Sequence, residues 1–295
     1  IFLVGLLIGW LNALFHYPMA QLLIPSLYTV RLLAYLCLYL ILSHKSYIIN
    51  RSYFLISGLV VVAIGYLQYF LLPDMRVFQY LGWDDHLNRL TLPHFDPTFT
   101  GVMLVMAVLS LYPRFRYWTV IFFPAIMLTM ARSVWLAMGL VGLAYGIQAR
   151  RWGKILIALA LFASYLYLRP IQFGEGNNLL RTYSITSRLG TDWTYVQRYS
   201  WDLLLGRGMN TLVLDQSSGQ YANHATSPNN SYLYLLLTTG VIGLIGWGKF
   251  LLSLARSSRY PYLILFFAVV SLFNNVMFYP FALLWVILIN TTLEN

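Results

Sequence analysis

The stretch "SPNNSYLYLLLTTGVIGLIG", residues 227–246, decides the fold, because two asparagines lead directly into an apolar segment in which glycines recur. The apolar residues continue to about residue 254. This is long enough for a helix to cross the hydrocarbon core of a bilayer, which takes roughly 20 residues. Regularly spaced glycines allow one membrane helix to pack closely on another. The stretch therefore predicts a membrane helix whose polar start lies at one membrane surface.

The composition of the whole chain indicates the same class of protein. Of 295 residues, 59% are hydrophobic and only 9% are charged, and the mean hydropathy is +0.67. A soluble domain of this size has far more charge, and the alternating ten-residue segments of a membrane β-barrel are absent. A single cysteine, Cys37, excludes an internal disulfide and is expected to be a buried apolar side chain. The sequence predicts an all-α, polytopic membrane helical bundle.

Apolar runs of membrane-crossing length recur along the chain, which we interpret as one transmembrane domain over residues 1–295. An apolar run begins at Ile1, and we expect the N-terminus of the protein to lie upstream. We predict about ten spans, near residues 1–15, 21–43, 53–72, 99–112, 117–131, 133–149, 153–168, 231–254, 261–276 and 278–293.

Basic residues indicate the orientation of the bundle. They concentrate in short loops on one side, at Lys45, Arg51, Arg114, Arg116, Arg150, Arg151, Lys154, Arg256 and Arg259. By the positive-inside rule this side is cytoplasmic. The net charge of +10 comes mostly from these loops, so we expect contact with membrane lipids and no binding of nucleic acid.

Two long segments face outward, residues 73–98 and the large loop 169–230. Loops of this length are uncommon unless they are functional. The large loop contains a helix-capable stretch, Thr191 to Leu205, whose apolar residues share one face. We expect this short helix to lie along the membrane surface.

Arginines on the outward side are the main candidates for a substrate site. Arg132 interrupts two apolar runs in "TMARSVWL" and is either a fixed cation for an anionic, lipid-borne group or the arginine of an ordinary turn. Arg188 and Arg207 lie in the large loop, where Arg207 could also be solvated, and Arg89 precedes the next span in "RLTLPHFDPTFTG". Asp96 of that segment could simply be a helix N-cap.

The order of these segments resembles the superfamily of O-antigen ligases and polymerases of bacterial envelopes, over about residues 89–246. The similarity rests on "RLTLPHFDPTFTG", on "ARSVWL" as an R-x3-L pattern, on "RLGTDW" and "GRG" in the large loop, and on "NNSYLYLLLTTGVIG". The family closes with H-[NSQ]-x9-G-x-x-G. Counting back from Gly240 and Gly243, this sequence has Asn229 at the histidine position and Asn230 next to it.

The resemblance implies a GT-C-like glycosyltransferase of the bacterial cytoplasmic (inner) membrane. Its donor would be a polyprenyl-diphosphate-linked oligosaccharide, its acceptor a glycan or lipid, and its active site would face the periplasm or exterior. Arg132 and Arg188 would bind the diphosphate, with Arg89 and Arg207 as weaker contributors. Asn229 and Asn230 would orient the acceptor, and His224 is a possible base, because an asparagine cannot take a proton.

No cofactor or metal is expected, since arginines can stabilise a departing diphosphate. Motifs for hydrolases, zinc proteases and nucleotide binding are absent from the sequence. Asparagine in place of histidine favours a polymerase over a ligase, while a protein oligosaccharyltransferase stays open. Other hypotheses are a flippase or transporter for the same lipid-linked glycans, and a catalytically silent family member.

Overall fold

The computed structural model describes residues 1–44, 49–81, 83–84, 86–112, 116–168, 182–215 and 227–292. Within these ranges the protein is all-helical, with one isolated bridge between Asp74 and Leu87. The α-helices are α1 (Phe2–His16), α2 (Leu23–His44), α3 (Arg51–Leu71), α4 (Pro97–Leu111), α5 (Thr119–Leu128), α6 (Arg132–Gln148), α7 (Trp152–Leu168), α8 (Tyr183–Arg198), α9 (Asp202–Leu205), α10 (Ser231–Ser257), α11 (Pro261–Val270) and α12 (Pro280–Thr292).

Each of the ten apolar stretches contains a helix, in most cases with bounds close to those predicted. Among the described residues, however, three helices and not ten are long and apolar enough to cross a membrane by length and composition: Met19–His44, Arg51–Leu71 and Ser231–Ser257. Others are shorter, such as α11, which ends at Val270 and not near residue 276. Beyond α11 the chain leaves the helix, and Ser271 accepts a hydrogen bond from the backbone of Ser231 at 3.0 Å.

Helix α4 lies at the centre of the bundle, and nearly all of its residues are therefore buried. It packs against α3, α5, α6, α11 and α12. Asp96 caps its start, where one carboxylate oxygen accepts from the backbone N–H groups of Thr98 at 2.6 Å and Phe99 at 2.9 Å. Pro97 opens the helix as expected. This central helix fixes the position of the 72–96 segment at one end of the bundle.

Glycines bring α1 and α10 into backbone contact, which confirms the close packing predicted from their spacing. A Cβ atom on Gly5 would lie 2.3 Å from the backbone nitrogen of Gly243, and one on Gly9 would lie 2.3 Å from the carbonyl oxygen of Thr238. Only glycine, which has no Cβ atom, allows the two helix backbones to approach this closely. The seam continues to Gly246, where a Cβ would lie 2.4 Å from the backbone nitrogen of Phe2.

Helix α10 is broken at Gly240, which has φ +67°. The break frees carbonyl groups of the preceding turn, and the loop residues after α9 bind them. The backbone N–H of Arg207 donates to the carbonyl of Leu237 at 2.8 Å, and that of Gly208 donates to Thr238 at 2.9 Å. A Cβ on Gly240 would lie 2.3 Å from the carbonyl oxygen of Leu204. The segment of the large loop that follows α9 is therefore hydrogen-bonded to the bundle at this break.

The helical part of the large loop differs from the prediction of one helix over Thr191 to Leu205. Helix α8 begins earlier, at Tyr183, and the chain turns at Tyr199 before the short α9. Trp193 and Trp201 are exposed. Cys37 is exposed on α2, so its predicted burial is wrong.

Replacement of Gly246 by alanine should destabilise the protein. Alanine normally favours a helix over glycine, but here its Cβ would overlap the backbone of Phe2, and overpacking typically costs about 1–3 kcal/mol. The matched control is Gly248→Ala, because a Cβ there meets nothing within 4 Å. The measurement is the midpoint of thermal unfolding in detergent. Equal midpoints for the two variants would contradict the close packing of α1 on α10.

Candidate functional site

A cavity of about 340 Å³ opens at one end of the bundle, between the 72–96 segment, the α5–α6 turn, α8, the start of α10 and the end of α11. Four predicted site residues line it, from segments far apart in sequence: Arg89, Arg132, Arg188 and Asn229. The acidic side chains that line it are Asp84, Asp96 and Asp192. The cavity therefore holds both signs of charge among apolar lining residues.

The cavity lies at the end of the bundle opposite the basic connections. Arg51 begins α3, whose far end leads into the 72–96 segment. Arg150 follows α6 and Arg256 lies in the last turn of α10, and both helices have their first residues at the cavity. A helix places its two ends on opposite sides of the bundle. If the basic connections are cytoplasmic, the cavity faces outward.

Arg132 stands at the start of α6, where the helix itself also favours anions. The N-cap residue of α6, Ala131, makes no side-chain hydrogen bond to the first turn. Uncapped N–H groups and the helix dipole make such an end a binding site for phosphate-like groups. Arg188 adds a second positive charge, which acts electrostatically on Arg132. The geometry concentrates positive potential at one wall of the cavity.

Arg188 is positioned by the chain between α11 and α12. Its Nη1 donates to the carbonyl of Phe273 at 3.2 Å and to the side-chain oxygen of Asn274 at 3.0 Å. Asn274 is buried, and its amide nitrogen donates to Ser133 Oγ at 2.8 Å. Asn274 therefore links the two helices that carry the arginines.

Arg89 lines the cavity but uses part of its guanidinium to hold the α5–α6 turn. It is only 6% exposed. Its Nε donates to the carbonyl of Thr129 at 3.0 Å and its Nη2 to that of Met130 at 3.2 Å. A cation near the last turn of α5 is also favoured by the helix dipole. The structure therefore gives Arg89 a positioning role for the turn that precedes Arg132.

The two asparagines at the start of α10 have different environments. Asn229 lines the cavity, and its backbone N–H donates to a carboxylate oxygen of Asp192 at 3.2 Å. Asn230 caps α10, because its side-chain oxygen accepts from the backbone of Tyr232 at 2.8 Å and Leu233 at 3.2 Å. Its role in orienting the acceptor stays a prediction. His224 lies outside the described residues.

Asp192 lies on α8, which forms one side of the cavity, and its carboxylate is partly buried. Burial raises its pKa, an effect opposed by the hydrogen bond from the Asn229 backbone and by the charge of Arg188. At neutral pH a carboxylate in this setting is a stronger proton acceptor than one exposed to water.

Arg207 belongs to a separate ion-pair network and does not line the cavity. Its Nη1 lies 2.9 Å from a carboxylate oxygen of Asp202, and its Nε lies 3.3 Å from one of Asp215. Nε also donates to the hydroxyl of Tyr17 at 2.7 Å. The amide of Asn12 donates to Asp202 at 3.0 Å. Arg207 therefore fastens the end of α1 to the segment after α8.

Three residues at the cavity wall could hold a metal ion. Asp84, His86 and Asp96 each place one potential ligand atom within 4.8 Å of the others. Carboxylate and imidazole ligands suit Mg²⁺, Mn²⁺ or Zn²⁺. Asp96 already uses one oxygen as the cap of α4.

Comparisons with protein-family models, with curated proteins and with solved structures gave no match for this chain.

Sequence reasoning named no role for Asp192 or Asn274. In the sequence Asp192 is one of several acidic residues of the large loop, with Glu175, Asp202 and Asp215, and its closeness to Asn229 depends on how α8 packs. Asn274 stands in "LFNNV" between two apolar runs, where a polar pair is unusual. That interruption was the available signal for a buried polar residue.

Replacement of Arg207 by leucine should destabilise the protein, because the side chains of Arg207 and Asp202 are only 15% and 10% exposed. Removing one partner of a buried ion pair costs about 3–5 kcal/mol. The control is Arg76→Leu, since Arg76 also pairs with an aspartate but is 54% exposed, and exposed pairs contribute about 0–1 kcal/mol. Thermal unfolding in detergent measures both. Similar losses in the two variants would contradict a structural role for this network.

Proposed function

We propose that the protein is a membrane glycosyltransferase that polymerises or transfers oligosaccharide units from a polyprenyl-diphosphate-linked donor. In this proposal the ten helical stretches span the bacterial cytoplasmic membrane in a GT-C-like arrangement. The cavity opens to the outer face, and the chain belongs to the superfamily of O-antigen ligases and polymerases.

The observation that carries the proposal is the positively charged wall of the cavity. Arg132, Arg188 and the uncapped first turn of α6 lie together. A diphosphate carries several negative charges on closely spaced oxygens, and guanidinium groups bind such oxygens in pairs without losing their own charge. The cavity also lies at a bundle end, where a lipid-borne head group would meet the protein.

The same wall would promote glycosyl transfer. As the bond between the sugar and the diphosphate breaks, negative charge accumulates on the departing phosphate oxygen. Donors fixed in advance around that oxygen lower the barrier without having to reorganise. Asn229 faces the cavity from the start of α10, where its amide can hold an acceptor hydroxyl.

A flippase for lipid-linked glycans is the alternative from a different class. Transporters carry ionisable residues near the middle of the membrane. Arg31 lies within α2, where its Nη2 lies 3.4 Å from the carbonyl of Phe278 and its guanidinium lies over the ring of Tyr28. These contacts occupy Arg31 within the bundle, which favours the transferase.

Replacing Arg132 or Arg188 by alanine should abolish polymer formation. The test uses cells that lack their own copy and express the full-length protein, with glycan length read on gels. Wild type should give a ladder, and each variant a single unit at equal protein level, because the diphosphate loses a cation. The matched control is Arg76→Ala, an arginine outside the cavity.

The gel also separates the alternatives. Glycan of one length on a new acceptor would indicate a ligase, whether the acceptor is lipid or protein. Donor that crosses the membrane in vesicles containing the purified protein, without any new glycosidic bond, would contradict the proposal and indicate a flippase.

Transfer should continue in the presence of a chelator such as EDTA, because the arginines and the α6 first turn supply the positive charge. The measurement is product formed by the purified protein in vesicles before and after EDTA treatment. Loss of product that Mg²⁺ or Mn²⁺ restores would contradict this prediction. It would assign a metal to Asp84, His86 and Asp96.

A further inference from the structure

We infer that Asp192 is the general base of the transfer reaction and accepts the proton of the acceptor hydroxyl. This inference rests on the proposed function and adds a residue to it. It fills the role left open by Asn229, which stands at the position of the family histidine and cannot take up a proton.

The position of Asp192 supports this role. It lies on α8, one turn after Arg188, so both side chains face the same cavity. Its carboxylate accepts the backbone N–H of Asn229 at 3.2 Å. The carboxylate is therefore held beside Asn229, which we place next to the acceptor, and on the same helix as Arg188, which we propose binds the diphosphate. A base needs this closeness to both reacting groups.

The other acidic groups at the cavity are less suited to this role. Asp96 uses an oxygen to cap α4, and Asp84 and Asp96 lie together near His86 on the 72–96 segment. Burial raises the pKa of Asp192 and makes its carboxylate a better proton acceptor. The nearby charge of Arg188 opposes this shift without removing it.

The proposed step conserves atoms and electrons. The oxygen of the acceptor hydroxyl attacks the anomeric carbon of the donor and forms the new glycosidic bond. The bond between that carbon and the diphosphate oxygen breaks, and its electron pair leaves with the polyprenyl diphosphate. The hydroxyl proton moves to the carboxylate of Asp192, from which it passes to water.

The decisive variant is Asp192→Asn in the full-length protein, purified and placed in lipid vesicles. Asparagine keeps a side-chain oxygen that can accept the Asn229 N–H, so a purely structural aspartate would tolerate it. A base would not. Because general base catalysis contributes roughly 10²–10⁴-fold, we expect turnover to fall at least about 100-fold while binding of undecaprenyl diphosphate stays within about twofold of wild type.

The donor for turnover is a lipid extract from cells that lack their own copy and accumulate it. Asp74→Asn is the matched control, since Asp74 lies on the same side of the bundle, outside the cavity, and pairs with Arg76. It should retain wild-type turnover. Asp192→Glu restores a carboxylate and should recover part of the turnover that asparagine loses.

The pH dependence of turnover gives a second measurement, which starts from the wild-type protein. Only the deprotonated carboxylate can accept a proton, so turnover should fall as pH drops through the pKa of Asp192. Because that pKa is raised, the fall should begin at a higher pH than for a water-exposed aspartate. The charged and titratable groups that face the cavity with it are Arg188 on α8, Arg132 on α6, and Asp84, His86, Arg89 and Asp96 of the 72–96 segment. The fall should persist in His86→Gln and disappear in Asp192→Asn.

The outcomes separate the two proposals. If wild type forms no product from the extract, the proposed function fails. If wild type forms product and Asp192→Asn retains turnover within about tenfold, or if its pH profile matches wild type, the base assignment is overturned and the transferase stands. Loss of undecaprenyl diphosphate binding equal to the loss of turnover would also overturn it, because the residue would then act in donor binding.

Discussion

The interrupted helix α10 is the constraint on which the rest of the structure depends. In a membrane a free carbonyl group is costly, since no water is present to bind it. The break at Gly240 leaves such carbonyls, and the segment after α9 donates its own N–H groups to them. The break therefore anchors the segment after α9. Gly5, Gly9, Gly243 and Gly246 allow α1 to pack closely against the same helix. Helix α10 therefore connects the segment after α9 to the bundle, and Asn229 lies just before the first residues of this helix.

The charge arrangement of the cavity follows from this framework. Helices α6 and α10 both begin at the cavity, and α8 is held against them by Arg188 and Asn274. The first turn of α6 lacks a capping side chain while Asp96 caps α4 and Asn230 caps α10. Of these three helix starts at the cavity, the uncapped one is also the one that carries an arginine. A helix N-terminus without a capping side chain favours the binding of anions.

Hydropathy was sufficient to predict the helices, because an apolar segment in lipid must bond its backbone N–H and C=O groups internally, and a helix does this within one segment. It did not predict where α11 stops, since Ser271 and Asn274 leave the helix to bind groups on α10 and α6. Nor did it predict the positive φ at Gly240, which depends on the contact with Leu204. For the site, arginines were visible as costly charges near helix ends. Asp192 was not, because one aspartate in a long loop carries no signal until α8 is placed beside Asn229.

The contacts of Arg188 have a consequence for the strength of binding. Its Nη1 is already bonded to the carbonyl of Phe273 and the amide of Asn274. An anion that binds Nη1 must displace these two acceptors. The loss of their hydrogen bonds then reduces the net free energy of anion binding. Where an anion takes these bonds, thermodynamic linkage makes its binding loosen α8 from the α11–α12 connection. The proposed transferase must release its lipid carrier after every addition. A cation that returns to its own protein partners when the carrier leaves would favour this release.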